Sequence, residues 1–157
     1  MTTVLLAVDE TDESIEAVRQ ARSLFGSDAT YLAVNVAENT PTWAPVPMAW
    51  GGVYPYPFAA RYPAIETEVD APSGAEVAQA RAEDVTAQAG IVAAAVGDVG
   101  DPSEAILDAA KAHDADVIVV GASDKGWFRR LFEGSVSRSV LEHSPVPVLV
   151  AGCHHDD

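Results

Sequence analysis

The sequence is short of cysteine, of basic residues and of long apolar runs, and each shortage closes off a class of protein. A single cysteine, Cys153, cannot form an internal disulfide, so a reducing compartment and a cytoplasmic location are expected. Nine Lys and Arg stand against 24 Asp and Glu, for a formal charge of −15. A chain so acidic is repelled by phosphate backbones and anionic lipid, which excludes a general nucleic-acid binder. No apolar run approaches the roughly 18 to 20 residues that span a bilayer. Met1-Thr2-Thr3 leads straight into a strand-like run without a basic leader, so neither membrane nor export is expected. Also missing are G-x-x-x-x-G-K-[ST], G-x-G-x-x-G and G-x-S-x-G, and no catalytic residue can be assigned. The acid excess, paired with few lysines, is the composition of a halophilic protein kept soluble in concentrated salt.

What is present is enough apolar material for a core. Hydrophobic residues make up 48% of 157 positions, which suits one domain over residues 1–152, with an inserted loop over 40–73 and a short tail over 153–157. Thr3 to Val8 is a short, continuous apolar run with β-branched members, the pattern of a central strand buried on both faces. Thr11 and Ser14 offer N-cap oxygens to a helix that carries Ile15, Val18, Ala21 and Phe25 on one side and stops at Gly26. Further strands are predicted over Tyr31–Val36, Ile91–Val96, Val117–Val120 and Val146–Val150. Helices are predicted over Gly74–Ala89, after Pro102, and over Ser135–Glu142. Five buried-type strands alternating with four helices predict an α/β fold: a doubly wound, Rossmann-like parallel sheet covered on both faces. Ligands of such sheets bind beyond the carboxyl ends of the strands. That directs attention to Asp9, Val36, residues 97–101 and Gly121 onward.

From Thr40 to Pro63 the chain sets Trp43, Trp50, Tyr54, Tyr56, Phe58 and Tyr62 among six prolines, which excludes a regular helix or central strand. The segment reads as a loop over its own domain, a ligand lid or an oligomer contact. The second unusual stretch runs from Gly121 to Ser135, between a strand and a helix. Gly121 lets the chain turn off the strand, and Gly134 lets a ligand approach the unpaired N–H groups where Ser135 and Val136 open a helix. Lys125, Arg129, Arg130 and Arg138 lie here against only Asp124 and Glu133, an anion-friendly island in an acidic chain. His113 and His143 read as helix-end residues. His154, His155, Asp156 and Asp157 read as a frayed tail or a weak chelator. Asp98 and Asp101 read as members of a Gly/Asp turn, with a carboxylate pair to Asp9 as the alternative.

These motifs resemble the universal stress protein family, whose nucleotide-binding members carry G-x-x-G-x9-G-[ST] in this place. The resemblance rests on Val119-Val120-Gly121, Gly134-Ser135-Val136 and Ser144–Val150, on the opening Val4–Thr11, and on Gly100-Asp101-Pro102 before a helix. It implies a nucleotide-binding stress-response module, not an enzyme beyond very slow ATP hydrolysis, that holds ATP or AMP with Mg2+. Asp9 would lie near the ribose or the metal, Val36 near adenine and Gly100 beside the nucleotide. Gly121, Gly134, Ser135 and Val136 would surround the phosphates, with Ser123 and Ser137 in the same loop. It also implies a homodimer through the Val146–Val150 strand, and protein partners that it does not name. One motif position departs from the pattern: Asp124 stands where the second glycine belongs. A carboxylate there adds charge of the same sign as phosphate unless Mg2+ bridges the two. The alternative is therefore a member that binds no nucleotide and acts as a protein-interaction module.

Overall fold

The computed structural model describes residues 1–37, 73–122 and 140–152. All of these belong to one compact unit, and the expected insert lies outside the described residues except for Ser73. Five strands form one sheet in the order β3-β2-β1-β4-β5, with every neighbouring pair parallel. The predicted parallel α/β architecture is what the chain adopts.

β1 (Thr3–Ala7) is the central strand, in register with β2 (Thr30–Ala37) from Thr3 opposite Thr30 and with β4 (Val117–Ala122) from Val4 opposite Val117. Its side chains alternate between two cores. Leu5 and Ala7 pack with Val34, Val36, Ile118 and Val120 under α3 (Pro102–Ala112). Val4, Leu6 and Val8 pack with Ala33 and Val119 under α1 (Asp12–Phe25) and α2 (Gly74–Ala89). Enclosure on both faces explains why β1 needs an unbroken apolar run.

The helices start and stop where their sequence signals stand. Thr11 caps α1 by accepting from Ser14 N at 3.2 Å, Asp12 and Glu13 occupy the first turn, and Gly26 closes the helix at φ 77°. Ser73 and Glu76 form a reciprocal capping box on α2. Asp101 caps α3, followed by Pro102 at the first helical position. Residues 140–143 are helical and precede β5 (Val148–Gly152).

Two strands are displaced from their predicted positions. The third strand, expected at Ile91–Val96, is Ala94–Val99. Gly90 ends α2 in the left-handed conformation, and Ile91 N then donates to Thr86 O at 2.9 Å, so Ile91 belongs to the helix terminus and Val92 projects into solvent, 96% exposed. Gly97 and Asp98, read as a turn, are strand residues opposite Asn35 and Val36. Gly97 serves packing: a Cβ there would collide with the Ala75 carbonyl and the Gln79 nitrogen, because α2 lies directly on the strand backbone. The fifth strand starts at Val148, not Val146. Ser144 Oγ donates to Val146 O at 2.6 Å and holds a turn, and Pro147 offers only its carbonyl, which accepts from Ile118 N at 3.0 Å.

Candidate functional site

The chain leaves β1 toward β2 on one side, while β4 lies on the other, so the topological switch point falls at the carboxyl ends of β1 and β4. Asp9 stands just beyond the end of β1, only 6% exposed. Its Oδ1 accepts from Thr11 N at 3.1 Å and from the Thr11 hydroxyl, and its backbone N donates to Ser14 Oγ at 3.1 Å. Among the described residues its Oδ2 has no hydrogen-bond partner. Burial raises the Asp9 pKa above its ordinary 3.8; the Thr11 bonds oppose the rise, and Glu13 and Glu10 add to it. An ionised, desolvated oxygen without a partner stabilises any cation or hydrogen-bond donor brought to it.

Asn35, near the end of β2, is the second feature of this corner. It is 3% exposed, its Nδ2 donates to Val8 O at 2.8 Å, and its Oδ1 also lacks a partner. These are the two unpaired buried side-chain atoms among the described residues, and both are acceptors within two adjacent strand ends. Neither composition nor motif spacing singled out Asn35. The signal was there all the same: it is one polar residue inside the buried run Tyr31–Val36.

The other expected site residues among the described ones also sit at carboxyl ends of strands. Val36 is buried in the core under α3 and lies opposite Asp98. Gly100 follows β3 at φ 137°, donates its N–H to Ala37 O at 3.0 Å, and meets none of the described residues where a side chain would be. Gly121 is not a turn residue. It pairs with Ala151 inside the β4–β5 ladder, and a Cβ on it would lie 3.2 Å from Glu13 O and 3.4 Å from Ala17 Cβ. Its part is to let the first turns of α1 rest against β4. Ser123, Asp124, Gly134, Ser135, Val136 and Ser137, like Lys125, Arg129, Arg130 and Arg138, lie outside the described residues, as do Cys153 and the histidine tail.

Asp98 and Asp101 bond locally, and the acids whose charge acts on Asp9 are Glu13 and Glu10. Asp98 Oδ1 accepts from Val99 N at 2.7 Å, and Asp101 Oδ1 takes the Ser103 hydroxyl and the N–H groups of Ser103 and Glu104 at 2.9 and 3.1 Å. Among the described residues no cluster of three or more His, Cys, Asp or Glu could hold a metal ion. Nor is any described helix long and apolar enough to cross a membrane.

The sequence model of the universal stress protein family matches residues 1–152. This chain belongs to the universal stress protein family. It is 38% identical over 77 residues to the stress response protein NhaX of Bacillus subtilis, a stretch of 45% of this chain and 46% of that one. The chain spans under half the length of the curated relatives it matches. Among solved folds, a universal stress protein of Arabidopsis thaliana with AMP bound superimposes over 100% of this chain and 95% of its own, at TM-score 0.56 and 19% identity. A universal stress protein in complex with cAMP does so over 98% of both chains, at TM-score 0.52 and 21% identity. At these identities the two structures establish a shared fold.

Proposed function

We propose that this universal stress protein is a nucleotide-binding regulatory module that takes an adenine nucleotide, AMP or ATP, at the carboxyl edge of its sheet. The observation that carries the reading is the buried, unpaired Asp9 Oδ2 at the switch point of the fold. Such an oxygen favours a ribose hydroxyl, or a Mg2+ that arrives with the phosphates and needs only one or two protein carboxylates. In this reading Val36 meets the base, Gly100 leaves room beside the nucleotide, and the phosphates lie along Gly121, Ser123, Gly134, Ser135, Val136 and Ser137. Two universal stress proteins of the same fold, one with AMP and one with cAMP, support it.

The module acts as a cytoplasmic homodimer through β5. That strand is an edge of the sheet, and Val150 on it is 41% exposed. Residues 1–152 form its one domain. It is a binding module and not an enzyme: Asp9, the buried carboxylate at the switch point among the described residues, serves binding. Phosphate release from ATP should not exceed a buffer blank.

The test is calorimetric titration of AMP and of Mg-ATP in concentrated KCl, with Asp124→Gly run alongside. Micromolar affinity in the natural chain upholds the reading. Binding by Asp124→Gly alone shows that the acid at the second glycine position has removed the function, and then a protein-interaction role takes its place. No binding by either chain at millimolar ligand overturns the nucleotide reading.

A further inference from the structure

The Val8–Asp9 peptide is held in an unusual way. Val8 N donates to Val34 O at 2.9 Å, a bond of the strand-to-strand kind, but the next peptide group is held by side chains at both ends. Its carbonyl, Val8 O, accepts from Asn35 Nδ2 at 2.8 Å, and its N–H, on Asp9, donates to Ser14 Oγ at 3.1 Å. Both clamping residues are enclosed, Ser14 at 1% exposure and Asn35 at 3%. One comes from the first turn of α1 and the other from β2, so the plane of this peptide is fixed by two independent elements.

We propose that Asn35 and Ser14 are positioning residues of the ligand site that act through Asp9, setting the direction in which its carboxylate leaves the backbone. The proposal rests on the reading of Asp9 as the ligand-binding carboxylate. Capping of α1 does not account for Ser14 Oγ, because the cap is made by Thr11. Sheet cohesion does not account for Asn35. An apolar β-branched residue such as its neighbours Val34 and Val36 would fill a buried strand position without leaving an unpaired oxygen, and Asn35 Oδ1 is unpaired. Thr11 holds Oδ1 of Asp9, so with the peptide plane fixed as well, Oδ2 is left in one orientation. Preorganisation of this kind removes the ordering cost that a ligand would otherwise bear.

The test uses the full chain in concentrated KCl, with Asn35→Leu, which keeps the heavy-atom count and branching but deletes the donor, and Ser14→Ala, which deletes one oxygen. Two quantities are measured in each: the AMP dissociation constant, and amide hydrogen exchange in the ligand-free protein by NMR. Both variants should weaken AMP by about tenfold or more, and the Asp9 amide should exchange about tenfold faster while Leu5 and Leu6 of β1 stay within about twofold of wild type. Wild-type affinity in both variants overturns the proposal. So does faster exchange spread evenly along β1, or failure of both variants to fold, because either makes the residues merely structural. If the natural chain itself binds no AMP, the nucleotide reading has failed, and the exchange of the Asp9 amide still decides whether Asn35 and Ser14 hold that peptide.

Discussion

Asp9 and Asp101 begin from the same local chemistry and end as opposites. Each follows a strand at the carboxyl edge of the sheet, and each accepts through Oδ1 both the N–H and the hydroxyl of the residue two places on, Thr11 in one case and Ser103 in the other. Asp101 is exposed and caps α3 directly, and its bonds from Ser103 hold its pKa below the ordinary 3.8. Asp9 stands two residues before the cap of α1 in a buried corner, and desolvation pushes its pKa the other way. Burial, not the turn motif, decides which way each carboxylate's pKa moves, and it leaves Asp9 as the one proposed to meet a ligand.

The largest effect that could break this contrast is on binding. Asp9→Ala should weaken AMP by about 10- to 100-fold, the worth of one charge-assisted hydrogen bond, while Asp101→Ala leaves the affinity nearly unchanged; calorimetry reads both. Stability should show the reverse. Asp101→Ala should cost about 1 kcal/mol as a lost cap and lower the Tm by about 3 °C, whereas Asp9→Asn should leave the Tm at pH 7 unchanged or slightly raised.

The two acids should also separate by pH. Asp101 is stabilising above its unfolded value of 3.8, and that contribution is lost as the pH falls through its lower folded value. For Asp9 the folded value is the higher one, so its contribution is fully present below 3.8 and is lost as the pH climbs through the folded value. Thermal melts of Asp9→Asn should therefore gain on wild type as the pH rises above 3.8, and those of Asp101→Asn should approach wild type as the pH drops below it. The smallest effect concerns the exposed Arg81–Glu10 pair at 3.0 Å, which ties α2 to the residue after Asp9. Glu10→Gln should change stability by less than about 1 kcal/mol in dilute buffer, and by nothing measurable in molar KCl.

Much of the fold could be read from the sequence because its signals are local. The bounds of α2 follow from Ser73 and Gly90, those of α1 from Thr11 and Gly26, and the central place of β1 from an unbroken apolar run. What failed was non-local. Gly97 and Gly121 look like turn residues in sequence, yet each lies within a strand and makes room for a helix arriving from elsewhere in the chain. β3 was misplaced because Ile91 is apolar for the sake of a helix terminus and not of a strand. In the candidate site Asp9 was legible as the acid that ends a buried strand. Asn35 was legible as a polar residue in a buried run, but its role was not, because its partner, Val8, is 27 residues away.

The most direct test of the account is a map of backbone amide shifts on addition of AMP to the 15N-labelled natural chain in concentrated KCl. The largest changes should fall at Asp9, Thr11, Val36, Gly100 and Gly121, all at or just beyond the carboxyl edge of the sheet. Changes centred on the opposite edge, around Thr3, Thr30 and Val117, or none at millimolar AMP, would contradict it.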